Sequence, residues 1–170
     1  MHFLYHNQNY DSLVEAKSKP DGVSVIGVLF NFPDNKAENP NTSVLEPVIN
    51  GISKVRKIGE TANLAPFSIS TFELQKSYPY RYITYQGSLT IPPYSEVVTW
   101  FLSSVSTDVT MAQMEAFREI ELENSDQGNN RPVQLLNGRE FEIVWINSRN
   151  KIMLHEEEGP STLSLNKFLH

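Results

Sequence analysis

The chain has 170 residues, of which 39% are hydrophobic and 20% are charged, and this composition is typical of one ordinary globular domain. Its formal net charge of −6 excludes the basic surface that nucleic-acid binding requires, so no nucleic-acid partner is expected. The chain has no cysteine, which excludes disulfides, thiolate metal sites and a cysteine nucleophile.

The first thirty residues alternate between strand and helix patterns. The residues from His2 to Tyr5 predict a short strand. Tyr10 to Lys17 predict a brief helix, which stops at the turn sequence Pro20-Asp21-Gly22. Val23 to Phe30 is apolar on both faces, and this pattern is typical of a central strand that is covered on both sides.

Residues 44–55 predict a second helix because their apolar side chains recur at helical spacing. Ser43 and Glu46 have the spacing of a capping box at its start, and Pro47 leaves the first helical residue open. The apolar stripe consists of Val44, Leu45, Val48, Ile49, Ile52 and Val55.

Strand patterns return in the middle of the chain, from Tyr82 to Tyr85 and from Glu96 to Leu102. The segment between them, Gly87 to Tyr94, is rich in turn-forming residues. Another helix is predicted from Thr110 to about Ile120, since Gln113 completes a capping box with Thr110.

The C-terminal part predicts one more strand and then a tail. Phe141 to Ile146 has the strand pattern, and the polar residues 147–170, which include an acidic run at Glu156 to Glu158, predict a tail. The remaining domain, residues 1–146, contains more strand than helix. This balance predicts an α+β fold, with a large, mostly antiparallel, twisted sheet and a few peripheral helices.

Four histidines are the candidate imidazole ligands for a metal ion: His2, His6, His155 and His170. The last two lie in the predicted tail. On a strand, the spacing of His2 and His6 separates their side chains by about 13 Å, too far to share a zinc ion whose bonds are about 2 Å long. The histidines alone therefore do not predict a metal site.

Other catalytic motifs are absent from the sequence. It contains no Gly-x-Ser-x-Gly nucleophile elbow and no Gly-rich phosphate loop. Residue patterns alone thus predict an acidic α+β domain and assign no chemistry to it.

One long segment resembles a known family. Tyr85 to Trp100 reads YQGSLTIPPYSEVVTW and is similar to the α-class carbonic anhydrase pattern Y-x-G-S-L-T-T-P-P-x-x-E-x-V-x-W. The resemblance extends from Met1 to about Val144 and implies the C-terminal portion of that family's fold. Supporting matches, in family order, are Met1-His2-Phe3 with Asn7, Pro20-Asp21-Gly22 with Val25-Ile26-Gly27-Val28, and Asn130-Arg131-Pro132-Val133-Gln134 with Asn137-Gly138-Arg139.

The resemblance implies a zinc lyase that interconverts carbon dioxide and bicarbonate, and it gives individual residues a role. His2 takes the place of the third zinc histidine. Thr90 takes the place of the threonine whose hydroxyl accepts a hydrogen bond from zinc-bound hydroxide and whose N–H faces the substrate oxygen. Ile91 replaces a second threonine that is common in the family. The implied apolar pocket consists of Leu4, Val25, Leu89, Ile91, Val98 and Trp100.

The sequence departs from the family in its zinc ligands. The family's other two zinc histidines form a His-x-His motif that precedes the region of resemblance, and this sequence contains no such motif. A catalytic zinc takes three protein ligands plus water. We therefore expect that this chain, with His2 alone, neither binds zinc stably nor catalyses the reaction by itself.

Two hypotheses remain open at this point. In the first, Met1 is an internal residue of a longer zinc enzyme, and the partner of the completed site is carbon dioxide or bicarbonate. In the second, the chain is complete and is a catalytically dead anhydrase-related binding domain without zinc. The sequence predicts neither a signal peptide nor a membrane span, so cytoplasmic and secreted locations are both compatible with it.

Overall fold

The computed structural model describes residues 1–31, 45–67, 80–123, 128–146 and 152–154. Within these residues, six strands form one sheet in the order β1-β2-β4-β3-β5-β6. The pairs β1–β2, β3–β4, β3–β5 and β5–β6 are antiparallel, which confirms the predicted α+β fold with a mostly antiparallel sheet. The strands are β1 (His2–His6), β2 (Val23–Asn31), β3 (Tyr80–Gly87), β4 (Val98–Asp108), β5 (Phe141–Ile146) and β6 (Ile152–Leu154), and the helices are α1 (Leu13–Ala16), α2 (Glu46–Ile52) and α3 (Met111–Arg118).

The chain divides into two compact units. The helix unit comprises Met1, Val28–Lys76 and Val105–Asn129. The strand unit comprises His2–Gly27, Ser77–Ser104 and Asn130–His170. Every residue that the resemblance places in the catalytic pocket belongs to the strand unit.

The core of the strand unit is one cluster of buried side chains. β2 lies between β1 and β4 and is buried or half-buried along its length until Asn31, as expected for a central strand. Apolar burial of this kind contributes about 25 cal/mol per Å² removed from water. The cluster consists of Ala16, Val23, Val25, Leu89, Val98 and Trp100.

The turn at Gly22 brings α1 against the start of β2. Ser12 caps α1 by accepting a hydrogen bond from the Glu15 backbone N–H, so the helix begins at Leu13, later than predicted. Ala16, at the end of α1, is fully buried. A Cβ atom added at Gly22 would lie 1.8 Å from the carbonyl oxygen of Ala16, so only glycine fits this approach.

Replacing Gly22 with alanine is expected to destabilise the fold by about 3 kcal/mol, because the new methyl group must displace backbone atoms of Ala16. Urea unfolding followed by circular dichroism measures the change. Gly59→Ala is the control: its Cβ would meet no atom within 4 Å, and only its positive φ of 83° opposes the change, at about 1 kcal/mol. Equal losses for both variants would contradict the proposed clash.

The helix unit contains one confirmed capping box. Thr110 Oγ1 accepts a hydrogen bond from the Gln113 backbone N–H, and Gln113 Oε1 accepts one from the Thr110 N–H, so α3 starts where predicted. α2 begins after Leu45, whose side chain provides no cap, with Pro47 in its first turn. The capping box predicted there involves Ser43, which lies outside the described residues. No helix in the described ranges is long and apolar enough to cross a bilayer.

Two strands show the largest differences from the sequence prediction. β4 was predicted to end at Leu102 but continues to Asp108, and Ser103 and Thr107 are buried in its polar second half. β6 lies in the region predicted as a tail and pairs with β5. The rest of residues 147–170 lies outside the described part of the chain, so the tail itself stays a prediction.

Candidate functional site

The pairing of β1 with β2 sets the position of the histidine. His2 lies opposite Gly27, and Leu4 lies opposite Val25. Cross-strand partners project to the same face of a sheet, and so do alternate residues of one strand. Because Val25 is buried in the core cluster, His2 and Leu4 project to the side of the sheet that carries this cluster.

The imidazole of His2 rests edge-on against the indole of Trp100. The ring centroids are 4.9 Å apart and the planes are inclined by 79°. A Cβ atom at Gly27, opposite His2, would lie 2.6 Å from Leu102 Cδ2, so a larger residue there would displace the Leu102 side chain. Partial burial of the ring lowers the pKa of His2. This burial favours the neutral imidazole, which is the form that binds metal ions.

Trp100 is the centre of this contact network. Only 6% of its surface is exposed. Its Nε1 donates a hydrogen bond to the carbonyl oxygen of Ser88 at 3.2 Å. The ring of Tyr85 stacks on it, with centroids 6.3 Å apart and planes inclined by 8°. Burial raises the pKa of Tyr85, and the charge of Arg139 partly opposes this rise.

The loop between β3 and β4 carries Thr90. Leu89, just before it, is buried in the core cluster, whereas Thr90 itself is exposed. Thr90 lines a cavity of about 250 Å³ together with Trp100, Ser88 and Arg131. Thr90 and the ring that contacts His2 therefore border one cavity of the strand unit.

The predicted pocket residues are brought together only in part. Val25, Leu89, Val98 and Trp100 come from three separate segments and meet in one buried cluster. Leu4 and Ile91 are outside this cluster, with 41% and 59% of their surfaces exposed. These two side chains leave apolar surface exposed in the structure.

The described residues fit a zinc ion only in part. His2 is one imidazole ligand, and among the residues with described positions no three His, Cys, Asp or Glu side chains lie close enough to hold a metal ion. β1 is a strand, so the separation of His2 and His6 by about 13 Å still applies. His155 and His170 lie outside the described ranges. This part of the chain therefore does not form a complete zinc site.

Sequence reasoning missed the contacts of Arg131. The residue belongs to a motif that resembles the family pattern, but its role was not assigned. In the structure, its Nη1 donates hydrogen bonds to Ser88 Oγ at 2.8 Å and to the Leu89 carbonyl oxygen at 3.3 Å. These contacts span more than forty residues of sequence, and no local pattern predicts a partner at that distance.

Comparison with known proteins gives one consistent result. The profile of the family described as eukaryotic-type carbonic anhydrase matches residues 1–145. The chain is 34% identical to carbonic anhydrase 6 of Mus musculus over 154 residues, which cover 86% of this chain and 45% of that protein. It is 33% identical to carbonic anhydrase 1 of Oryctolagus cuniculus over 147 residues, which cover 82% of this chain and 58% of that protein. The chain thus spans about half the length of these relatives.

Proposed function

This chain belongs to the eukaryotic-type, α-class carbonic anhydrase family, and we propose that it supplies part of a site for the reversible, zinc-dependent hydration of carbon dioxide to bicarbonate. Its contribution is one zinc histidine, His2, the threonine Thr90, and an apolar wall. We further propose that the 170-residue chain is inactive by itself, because a catalytic zinc needs three protein ligands.

The convergence of the apolar wall with His2 is the observation that carries this proposal. Val25, Leu89 and Val98 bury their side chains around Trp100, and His2 touches the same indole. Carbon dioxide is uncharged and has no hydrogen to donate, so an apolar wall suits it better than a polar one. In the completed site we expect this wall to exclude water from one side of the reacting carbon.

We propose that Thr90 acts directly on the reacting groups. Its exposed side chain offers Oγ1 as an acceptor for a hydrogen bond from the attacking oxygen. Its backbone N–H can face an oxygen of the substrate. Zinc supplies a nucleophile at neutral pH in such a site. The described residues provide one ligand for it, and the other two must be added before this chemistry is available.

A chimera tests the proposal. The part of Oryctolagus cuniculus carbonic anhydrase 1 that precedes its aligned region is fused before Met1, and zinc content and carbon dioxide hydration are measured for the chimera and for the chain alone. We expect about one zinc per chimera with hydration activity, and neither property in the chain alone. Stoichiometric zinc with turnover in the chain alone would contradict the incomplete site. A folded chimera without zinc would favour the anhydrase-related binding domain.

Replacing Thr90 with valine in the chimera is expected to lower the rate of hydration by about 100-fold, since the methyl group keeps the shape and removes the acceptor. Thr90→Ser keeps the hydroxyl and is the matched control, with a loss of severalfold at most. Stopped-flow hydration assays measure both variants, and zinc content is expected to stay unchanged. Equal rates for the valine and serine variants would exclude the proposed hydrogen bond.

A further inference from the structure

The loop that carries Thr90 is closed by its own backbone. The Leu89 N–H donates to the Ser95 carbonyl oxygen at 3.0 Å, and the Tyr94 N–H donates to the Ile91 carbonyl oxygen at 2.9 Å. These short-range bonds define the shape of the loop. They do not define its orientation on the rest of the strand unit, which requires contacts from outside the loop.

Arg131 supplies such contacts on the side that leads into Thr90. One guanidinium nitrogen, Nη1, donates to Ser88 Oγ at 2.8 Å and to the Leu89 carbonyl oxygen at 3.3 Å. Ser88 and Leu89 are the two residues immediately before Thr90. A charged donor forms stronger hydrogen bonds than a neutral one, and partial burial of Arg131 reduces the competition from water.

The same guanidinium also contacts the far side of the loop. Its central carbon lies 4.1 Å from the centroid of the Tyr94 ring, a cation–π arrangement. Arg131 therefore touches the chain before Thr90 and the chain after it. A planar group that contacts both sides restricts rotation of the loop more than either contact alone.

The geometry points to Arg131 as the positioning residue for Thr90: its guanidinium holds both sides of the loop and thereby sets where the Thr90 hydroxyl and N–H lie. Its significance for catalysis rests on the proposed function. The positioning itself can be measured without turnover, so each idea can fail independently of the other.

Arg131→Met is the main test variant, because it keeps the length of the side chain and removes the donors and the charge. Arg131→Lys keeps the charge but cannot form the planar contact. Arg139→Met is the matched control. Arg139 lines the same cavity, but its guanidinium donates to the carbonyl oxygens of Leu135 and Leu136 in its own turn.

Two-dimensional ¹⁵N NMR spectra of the full 170-residue chain provide the readout. In Arg131→Met we expect shifts of the Thr90 amide and of the Trp100 indole N–H, which is bonded to Ser88. Hydrogen exchange of the Leu89 and Tyr94 amides is expected to rise about tenfold relative to amides of β5. Arg131→Lys is expected to give an intermediate effect, and Arg139→Met is expected to leave the amide signals of Leu89, Thr90 and Tyr94 unchanged.

Several results would overturn the inference. Unchanged loop signals in Arg131→Met would remove the positioning role, and so would a uniform rise in exchange over the whole chain, which would indicate a general loss of stability. If Arg131→Met does not fold, Ser88→Ala decides the question. It removes one acceptor of Arg131, so the same loop signals must shift, and unshifted signals count against the role.

The chimera separates positioning from catalysis. In the chimera, Arg131→Lys is expected to lower kcat by about tenfold, with little change in KM and with zinc retained. The reason is that a displaced Thr90 disturbs the alignment of the reacting groups without changing substrate binding. If the wild-type chimera is inactive but Arg131→Met still changes the loop signals as expected, the proposed function is rejected and the positioning role is kept. An active chimera with wild-type kcat in Arg131→Lys would reject the role in catalysis.

Discussion

Replacing His2 with alanine in the chimera is expected to abolish stoichiometric zinc binding and, with it, carbon dioxide hydration. Loss of an outer-shell partner of a zinc ligand already costs about 10–100-fold in affinity, so loss of a ligand itself is expected to cost more than about 100-fold. The neutral imidazole that partial burial favours is the form this role needs. The test measures two quantities for the variant: the zinc content per protein after dialysis against a chelator, and the rate of carbon dioxide hydration.

His6→Ala is the control for this experiment. His6 lies on the same strand, but its distance from His2 along β1, about 13 Å, excludes it from the same zinc. We expect His6→Ala to retain zinc and activity. Retention of zinc by the His2 variant, or loss of zinc in both variants, would show that His2 has been assigned the wrong role.

Replacing Trp100 with alanine is expected to destabilise the chain by about 4 kcal/mol. The side chain is buried, stacks on Tyr85, contacts His2 and donates to Ser88. A loss of this size is comparable to the whole stability of a small domain. Urea unfolding measures this loss of stability. If the variant does not fold, the experiment shows no cooperative transition.

Trp100→Phe makes the test more specific. Phenylalanine keeps most of the apolar volume and removes the indole N–H, so we expect a loss of about 1–2 kcal/mol from the unpaired Ser88 carbonyl group and the smaller ring. Trp145→Phe, at a half-exposed position on β5, is the matched control, and its free energy of unfolding is expected to fall by less. If the Trp100→Phe variant is as stable as the control, the indole hydrogen bond to Ser88 does not stabilise the loop.

Much of the fold could be predicted because it depends on local patterns. The apolar run from Val23 predicted an inner strand, and Thr110 with Gln113 predicted the start of α3. Both patterns involve residues within a few positions of each other, where side-chain chemistry and backbone geometry are directly linked. The predicted α1 was too long, since Ser12 caps the helix only at Leu13.

The remaining features depend on packing and strand pairing, which the pattern of a single segment does not show. The polar second half of β4 lacks the apolar alternation of a strand, and yet Ser103 and Thr107 are buried there. β6 is three residues long and exists as a strand through its pairing with β5. In such short or polar segments, the local strand propensity influences the structure less than hydrogen bonding to a neighbouring strand does.

The candidate site shows the same division. The sequence by itself determined which residue types stand at the functional positions: one histidine on a strand, one threonine before a double proline, and no His-x-His motif to complete a zinc site. Only the tertiary structure decided which of them meet. It placed His2 against Trp100, buried four of the pocket residues and left Leu4 and Ile91 exposed, and brought Arg131 onto the Thr90 loop. Residue type sets the chemistry a position can perform, whereas contacts between distant segments form only when the whole sheet packs, because burial and hydrogen bonding stabilise them together.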